Sequence, residues 1–256
     1  MNNIEILAPA GGKEQLIAAV RSGADAVYFG ASSFNARRNA ENFTDDDFIS
    51  SVRYCRERGV KAYITLNTIF KDSEKKEFVK TLGLIAKSGA DAVIVQDMGA
   101  AALVKECCPG LPLHASTQMA VHNKAGALYL QSLGFSRIVL ARELSVNEIK
   151  EITASVDAEI EVFVHGAHCM SASGMCYMSS ILGARSGNRG LCAQPCRLNF
   201  KNGRREYALS LKDMCLVSLT DELIEAGVTS FKIEGRMKRP EYVCAAVTAY
   251  KKAVSG

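Results

Sequence analysis

The sequence predicts a (β/α)8 barrel, in which eight parallel strands form a closed ring and helices connect one strand to the next. Three features support this prediction: a short apolar run recurs eight times, amphipathic helical stretches separate most of these runs, and glycines stand at several helix-to-strand junctions. Alternating strands and helices indicate a parallel sheet, and eight such units in 256 residues fit a barrel better than an open doubly wound sheet. We therefore expect residues 1–256 to form one barrel-type domain.

The predicted strands are runs of four to six residues that are rich in β-branched and apolar side chains. The connection between the seventh and eighth runs, about residues 165–213, is much longer than an ordinary crossover, and its Lys201–Asn202–Gly203 turn predicts a β-hairpin. In chain order the predicted strands are Ile4–Pro9, Ala26–Gly30, Lys61–Leu66, Ala92–Gln96, Leu111–Ser116, Arg137–Ala141, Glu159–Val164 and Ser230–Ile233.

The predicted helices have recognisable ends. Thr44, Asp97 and Ser145 precede helices and have the side-chain oxygens that N-caps require. Five glycines are expected to end helices in the left-handed conformation, namely Gly23, Gly59, Gly89, Gly134 and Gly227. The predicted helices are Lys13–Ser22, Asp45–Arg58, Ser73–Lys87, Gly99–Cys107, Lys124–Leu133, Val146–Ala154, one within Ser179–Ala184 or Leu216–Glu225, and Pro240–Val254.

Composition excludes several classes of protein. The net charge of +4 is too small to indicate a nucleic-acid binder by itself, so any basic surface must be local. The amino terminus has neither a basic segment nor an apolar leader, and no apolar run approaches the ~20 residues that cross a bilayer. We expect a cytoplasmic protein without a membrane partner. Its odd number of cysteines argues against a disulfide framework.

The stretch from Glu161 to Arg197 concentrates chemically active residues. Its four cysteines have the spacing C-x6-C-x15-C-x3-C. Four thiolates within one loop can bind zinc or an iron–sulfur cluster, and the residues alone do not separate these alternatives from unliganded thiols. The cysteines are Cys169, Cys176, Cys192 and Cys196.

Functional groups of such barrels lie on the loops that follow the carboxyl ends of the strands. Several arginines stand there, and the planar guanidinium group suits phosphate or carboxylate. Helix capping and ordinary solvated charge are the competing interpretations. The polar residues at this predicted mouth include Asn35, Arg37, Asn67, Asp97, Gln118, Arg142, Arg185, Arg189 and Arg236.

Residues 161–179 read EVFVHGAHCMSASGMCYMS, and the chain also contains NRGLCAQPCR, LAPAG, NAR, SLKDMC and FKIEGRMK. The first segment resembles the signature of the collagenase-like peptidase family, peptidase family U32, and the others continue the family pattern over the whole chain. His168 departs from it, because the signature has an aliphatic residue there.

This resemblance implies a barrel-type catalytic domain and a [4Fe–4S] cluster bound by the four cysteines above. It implies three alternative activities: hydroxylation of RNA, peptidase activity, or oxygen-independent hydroxylation in ubiquinone synthesis. The RNA targets are the tRNA wobble uridine, with prephenate as co-substrate, or a cytidine of ribosomal RNA. Longer members carry a further C-terminal domain, so we expect this chain to be a truncated form.

The barrel positions and the resemblance together give the candidate site. Catalytic candidates are Glu161, His165, His168, Asn35 and Asp97. Candidates for binding RNA or a small anionic co-substrate are Arg37, Asn67, Gln118, Arg142, Arg185, Arg189, Lys232, Glu234 and Arg236.

Physical chemistry favours RNA hydroxylation over proteolysis. A peptidase needs an activated nucleophile or a metal-bound water. A cluster bound by four thiolates has no open coordination position for such a water, unlike a catalytic zinc ion. RNA modification needs a cationic mouth and room for an unstacked base. The predicted mouth supplies the arginines but few aromatic residues for stacking, with only Phe34, Phe43, Phe70 and Tyr177 suitably placed.

Overall fold

The computed structural model describes residues 4–36 and 43–255 and confirms the predicted barrel. Strand pairing runs continuously from the first to the seventh strand, and the last strand pairs in parallel with both the first and the seventh, which closes the ring. The strands are β1 Glu5–Pro9, β2 Ala26–Gly30, β3 Lys61–Leu66, β4 Ala92–Val95, β5 Leu113–Ala115, β6 Phe135–Val139, β7 Glu159–Gly166, β8 Met214–Cys215 and β9 Ser230–Ile233. Among them β8 is an antiparallel addition to the end of β7.

Helices lie between the strands and cover the outside of the barrel. They are α1 Lys13–Arg21, α2 Asp45–Arg56, α3 Lys75–Ser88, α4 Met98–Cys107, α5 Lys124–Ser132, α6 Val146–Thr153, α7 Met178–Gly183, α8 Thr220–Glu225 and α9 Pro240–Ser255. The side chains of Thr44, Asp97 and Ser145 accept hydrogen bonds from the first turns of α2, α4 and α6, as predicted. None of the helices in the described residues combines the length and apolarity that a membrane span requires.

Three local predictions differ from the structure. The strand β5 is shorter than predicted and β6 begins two residues earlier, where the β5–β6 pairing contains an irregularity between Leu113 and His114. Both alternatives for the seventh helix exist, as α7 and α8. The predicted hairpin is only a turn closed by one bridge between Asn202 and Arg205, because residues 201–207 are exposed and have no sheet to pack against.

Apolar side chains fill two separate regions. The larger region lies between the strands and the helices, and a smaller cluster of Leu7, Ala26, Tyr28, Tyr63, Ala92 and Ile94 lies inside the barrel. Successive side chains of a strand point to opposite faces, so each strand contributes to both regions. The interior is therefore a packed core, and its contents determine the floor of any site above it.

Charged side chains occupy the remaining interior. Arg137 of β6 is 2% exposed and binds carboxylates from β1 and β7. Its Nη2 lies 2.6 Å from Glu159 Oε2 and its Nη1 lies 3.2 Å from Glu161 Oε2, while Glu5 also accepts from its guanidinium. The hydroxyl group of Tyr63 donates to Glu5 Oε2 over 2.7 Å. Strands β1, β3, β6 and β7 thus share one ionic cluster, of which Glu5, Arg137 and Glu161 are buried.

Burial raises the pKa of Glu5, but the hydrogen bond and charge of Arg137, together with Tyr63 and Lys61, outweigh burial and hold the pKa below its usual value. A carboxylate with a lowered folded-state pKa stabilises the fold above its unfolded-state pKa, and this contribution is lost as the pH falls through the folded-state value. Glu5 therefore stabilises the barrel near neutral pH because Arg137 is present.

We predict that Arg137→Met will destabilise the protein by about 3–5 kcal/mol at neutral pH, because Glu5 and Glu161 would lose a buried cationic partner. The deficit should shrink as the pH falls, since burial without Arg137 favours protonation of Glu5. Chemical denaturation at several pH values measures both effects. The control is Arg21→Met on α1, whose side chain is exposed and whose effect should stay within about 0.5 kcal/mol. Equal effects of the two substitutions would contradict this account.

Candidate active site

A cavity of about 270 Å³ lies at the carboxyl end of the barrel strands. Side chains inside the barrel form its floor, and residues that follow the strands form its wall. The floor includes Tyr28, Thr65, Ile94, Phe163 and Lys232, and the wall includes Asn67, Ser116, Gln118, Arg142, Glu234 and Arg236. The structure thus brings together six of the nine predicted binding residues: Asn67, Gln118, Arg142, Lys232, Glu234 and Arg236.

The connection from β7 to β8, residues 167–213, covers this cavity and is tied to the barrel at several points. The Ser173 N–H donates to Glu143 Oε1 over 2.6 Å, and Gln96 Nε2 donates to the Asn188 carbonyl over 3.2 Å. Arg197 donates from Nη2 to the His168 carbonyl over 2.8 Å and so joins the two ends of the cysteine segment. We call residues 167–213 the roof.

All four predicted cysteine ligands lie on the wall of the cavity. The Met178 N–H donates to Cys176 Sγ and the Gln194 N–H donates to Cys192 Sγ, both over 3.3 Å. Burial raises the pKa of the Cys196 thiol; neighbouring Cys169 and Cys192 add to this increase, while Arg197 opposes it. Within residues 4–36 and 43–255, no three His, Cys, Asp or Glu side chains are spaced to bind a single metal ion. The four cysteines therefore line one cavity, and no three of their thiols meet at a single point.

Lys232 is the buried cation of the floor. It is 4% exposed, and its Nζ lies 2.6 Å from Glu161 Oε1 and 4.4 Å from the centre of the Tyr28 ring. Burial lowers the pKa of Lys232, and Glu161 partly opposes this effect. Because Glu161 also accepts from Arg137, the ionic cluster inside the barrel continues directly to the cavity.

Two arginines complete the cationic side of the cavity. Arg236 donates from Nη1 to Thr65 Oγ1 over 2.9 Å and is almost fully buried. The Arg142 guanidinium carbon lies 4.1 Å from the centre of the Phe163 ring. With Lys232, these side chains can bind the carboxylate or phosphate groups of a small anion.

Of the five catalytic candidates, only His168 lines the cavity. Glu161 lies below the floor in the ionic cluster, and Asp97 caps α4. Asn35 donates from its buried amide to the Ala31 carbonyl over 2.7 Å. His165 lies beside the rings of Tyr242 and Tyr250, and burial together with Lys238 lowers its pKa although Asp213 opposes this change. These four residues have structural contacts outside the cavity wall.

The remaining arginine candidates do not line the cavity. Arg189 binds Glu74 and the Ile69 carbonyl, so it fastens the roof to the barrel. Arg185 is exposed on the roof and donates from Nε to the Leu191 carbonyl over 3.2 Å. Arg37 lies outside the described residues.

Several residues of the cavity were not predicted from the sequence. Tyr28, Thr65 and Phe163 lie within predicted strands, and their inward direction follows from two-residue alternation once the barrel is assumed. A second signal is the presence of Glu5, Arg137, Glu161 and Lys232 inside otherwise apolar strands, which indicates a polar barrel interior.

The chain is similar to proteins with different functions. The model of peptidase family U32 matches residues 11–256. The 23S rRNA 5-hydroxycytidine C2501 synthase of Escherichia coli is 41% identical over 94% of this chain and 38% of the relative. The tRNA hydroxylation protein P1 of Bacillus subtilis is 37% identical over 98% of this chain and 63% of the relative. The collagenase of Porphyromonas gingivalis is 36% identical over 99% of this chain and 66% of the relative.

The chain therefore spans between 38% and 66% of the length of these three relatives. Among solved structures, the U32 peptidase Mk0906 has the same fold, with a TM-score of 0.65 and 16% identity over 92% of this chain and 94% of that chain. Because the sequence identity is low, this structural similarity is evidence for the fold alone.

Proposed function

Because the chain belongs to peptidase family U32, we propose that it is an iron–sulfur protein that hydroxylates a pyrimidine of tRNA or ribosomal RNA. One observation carries this proposal: four cysteines line the same cavity as Lys232, Arg142 and Arg236. Relatives that are named for tRNA or ribosomal RNA hydroxylation support the RNA substrate.

The donor set fits a four-iron cluster. A zinc site requires four ligands on one ion, with zinc–sulfur distances of ~2.3 Å, whereas each cysteine of a four-iron cluster binds a different iron. Thiols that line one cavity without three of them meeting at a point, with backbone N–H groups directed at two sulfurs, therefore suit the cluster. Cys169, Cys176, Cys192 and Cys196 would hold it, and it would supply one-electron redox chemistry.

The cationic floor has a separate role in this proposal. Lys232, Arg142 and Arg236 bind an anionic co-substrate, and the family resemblance makes prephenate the first candidate. Glu161 holds the Lys232 ammonium group at the floor, and Arg137 prevents Glu161 from turning away. The roof limits water access to this site. A substrate RNA agrees with the cytoplasmic location expected from the sequence.

Peptidase activity is the second candidate, and the similarity to a collagenase favours it. A peptidase of the serine or cysteine type needs a nucleophile that hydrogen-bonds to its base. Among the described residues, no serine or cysteine of the cavity wall donates to a histidine side chain, so the geometry favours the RNA proposal.

We predict that RNA from a strain lacking this protein will lack one hydroxylated pyrimidine. Mass spectrometry of nucleosides from separated tRNA and ribosomal RNA measures this loss, and restoring the full gene should reverse it. Unchanged nucleosides combined with gelatin cleavage by the pure protein would support the peptidase instead. A deficit of quinone during anaerobic growth would identify ubiquinone synthesis.

We also predict that protein purified without oxygen is brown and contains about four iron and four sulfide ions per chain. Replacing any of the four cavity cysteines with serine should reduce the iron content and the absorption. The matched control is Cys55→Ser, because Cys55 belongs to α2 and is buried in the core between helices and strands, away from the cavity wall. Colourless protein with stoichiometric zinc would contradict the cluster.

A further inference from the structure

The roof holds the excess positive charge of the protein. Residues 167–213 contain seven Lys and Arg residues and two Asp and Glu residues, a net charge of +5. The whole chain has a net charge of +4, so all other residues together carry −1. The positive field is thus concentrated on the cover of the cavity, where it would attract a polyanion.

Two of these cations maintain the roof itself. Arg189 pairs with Glu74, and Arg197 is hydrogen-bonded to the carbonyls of His168 and Leu211. Others are exposed. Arg204 and Arg205 occupy the turn at 201–207, and in the described part of the chain neither has a carboxylate within ion-pair distance. They can contact phosphates without losing a structural partner.

The roof also exposes apolar side chains. Fifteen large hydrophobic residues are exposed in the described structure, and eight of them belong to the roof. A free surface with such a concentration of apolar groups commonly marks a binding site. The eight residues are Met170, Met175, Tyr177, Ile181, Leu182, Leu198, Phe200 and Tyr207.

The two roof tyrosines are close in sequence to residues that line the cavity. Tyr177 is 68% exposed and follows Cys176, which lines the cavity; Tyr207 is 52% exposed and precedes the cavity residue Leu209 by two positions. Tyr207 has a φ of 50°, a left-handed value that is uncommon for a bulky residue. Its N–H donates to Asn199 Oδ1 over 3.1 Å, which fixes this conformation while the ring stays accessible. Such local strain is commonly found at functional positions.

We propose that the exposed surface of the roof is the docking site for single-stranded RNA. Tyr177 and Tyr207 stack on unpaired bases beside the cavity, and Arg204 and Arg205 hold phosphates. Exposed aromatic rings combined with arginines are the features by which proteins bind single strands and RNA loops. This inference rests on the proposed function and moves RNA binding from the arginines of the barrel mouth to the roof.

Binding is measured with a labelled, short single-stranded oligonucleotide of uridine and cytidine at several salt concentrations, using the full chain. Tyr177→Ala and Tyr207→Ala should each weaken binding roughly 5- to 150-fold, because one stacked base contributes about 1–3 kcal/mol. Their salt dependence should not change. Tyr177→Phe and Tyr207→Phe should bind like the parent, since phenylalanine keeps the stacking face.

Each phosphate contact to a single strand contributes about 0.7 to the steepness of log K against the logarithm of the salt concentration. The double variant Arg204→Ala and Arg205→Ala loses two such contacts, so the steepness should fall by roughly 1.4. Matched controls are Tyr129→Ala on α5 and Arg53→Ala combined with Arg58→Ala in and after α2. These controls should not change binding. Double-stranded RNA of the same length should bind more weakly, because its bases cannot stack on the tyrosines.

The outcomes separate this inference from the proposed function. If the tyrosine and arginine variants bind the oligonucleotide like the parent and restore the missing nucleoside in the deletion strain, the docking site is wrong while the function stands. If the deletion strain has normal nucleosides, the function fails. If sedimentation shows a dimer that Tyr177→Ala and Tyr207→Ala dissociate, with RNA binding unchanged, the roof is an interface between copies and the proposal is overturned.

Discussion

Arg137 lies inside the barrel, where an uncompensated charge would cost several kcal/mol. Glu159 and Glu161 come from β7, which pairs with β6 directly, whereas Glu5 comes from β1, which Arg137 reaches only across the interior of the closed ring. The charge therefore favours the closed barrel over any open arrangement of the same strands. A hydrophobic interior would also close the barrel, but it would not fix which strands must meet.

The ion pairs of Arg137 also determine the geometry of the candidate site. Glu161 contacts Arg137 on one side and Lys232 on the other, so the position of Lys232 depends on a cluster that begins at the opposite end of the strands. Above Lys232 the roof supplies four cysteines, and below it lies the ionic cluster of Glu161 and Arg137. The barrel interior and the roof, which are distant in sequence, thus build one cavity from opposite sides.

Local patterns predicted the fold well because strands, helices and caps depend on neighbours in the sequence. The capping roles of Thr44 and Ser145 and nearly all strands followed from such patterns. The roles of charged residues did not, because they depend on distant partners. Nothing local shows that Arg189 pairs with Glu74, or that Glu161 lies below the cavity floor. The four cysteines could be predicted as a site because they lie in one loop of the sequence. Tyr28 could be assigned to the cavity only after the barrel had been established, because its inward direction depends on the closed sheet.

We propose that the roof and the barrel together form one cavity that binds an iron–sulfur cluster. X-ray diffraction from crystals grown without oxygen, recorded on both sides of the iron absorption edge, tests it directly. The account predicts one compact iron peak in the cavity, in contact with Cys169, Cys176, Cys192 and Cys196. Iron bound elsewhere, or a signal at the zinc edge alone, would contradict it.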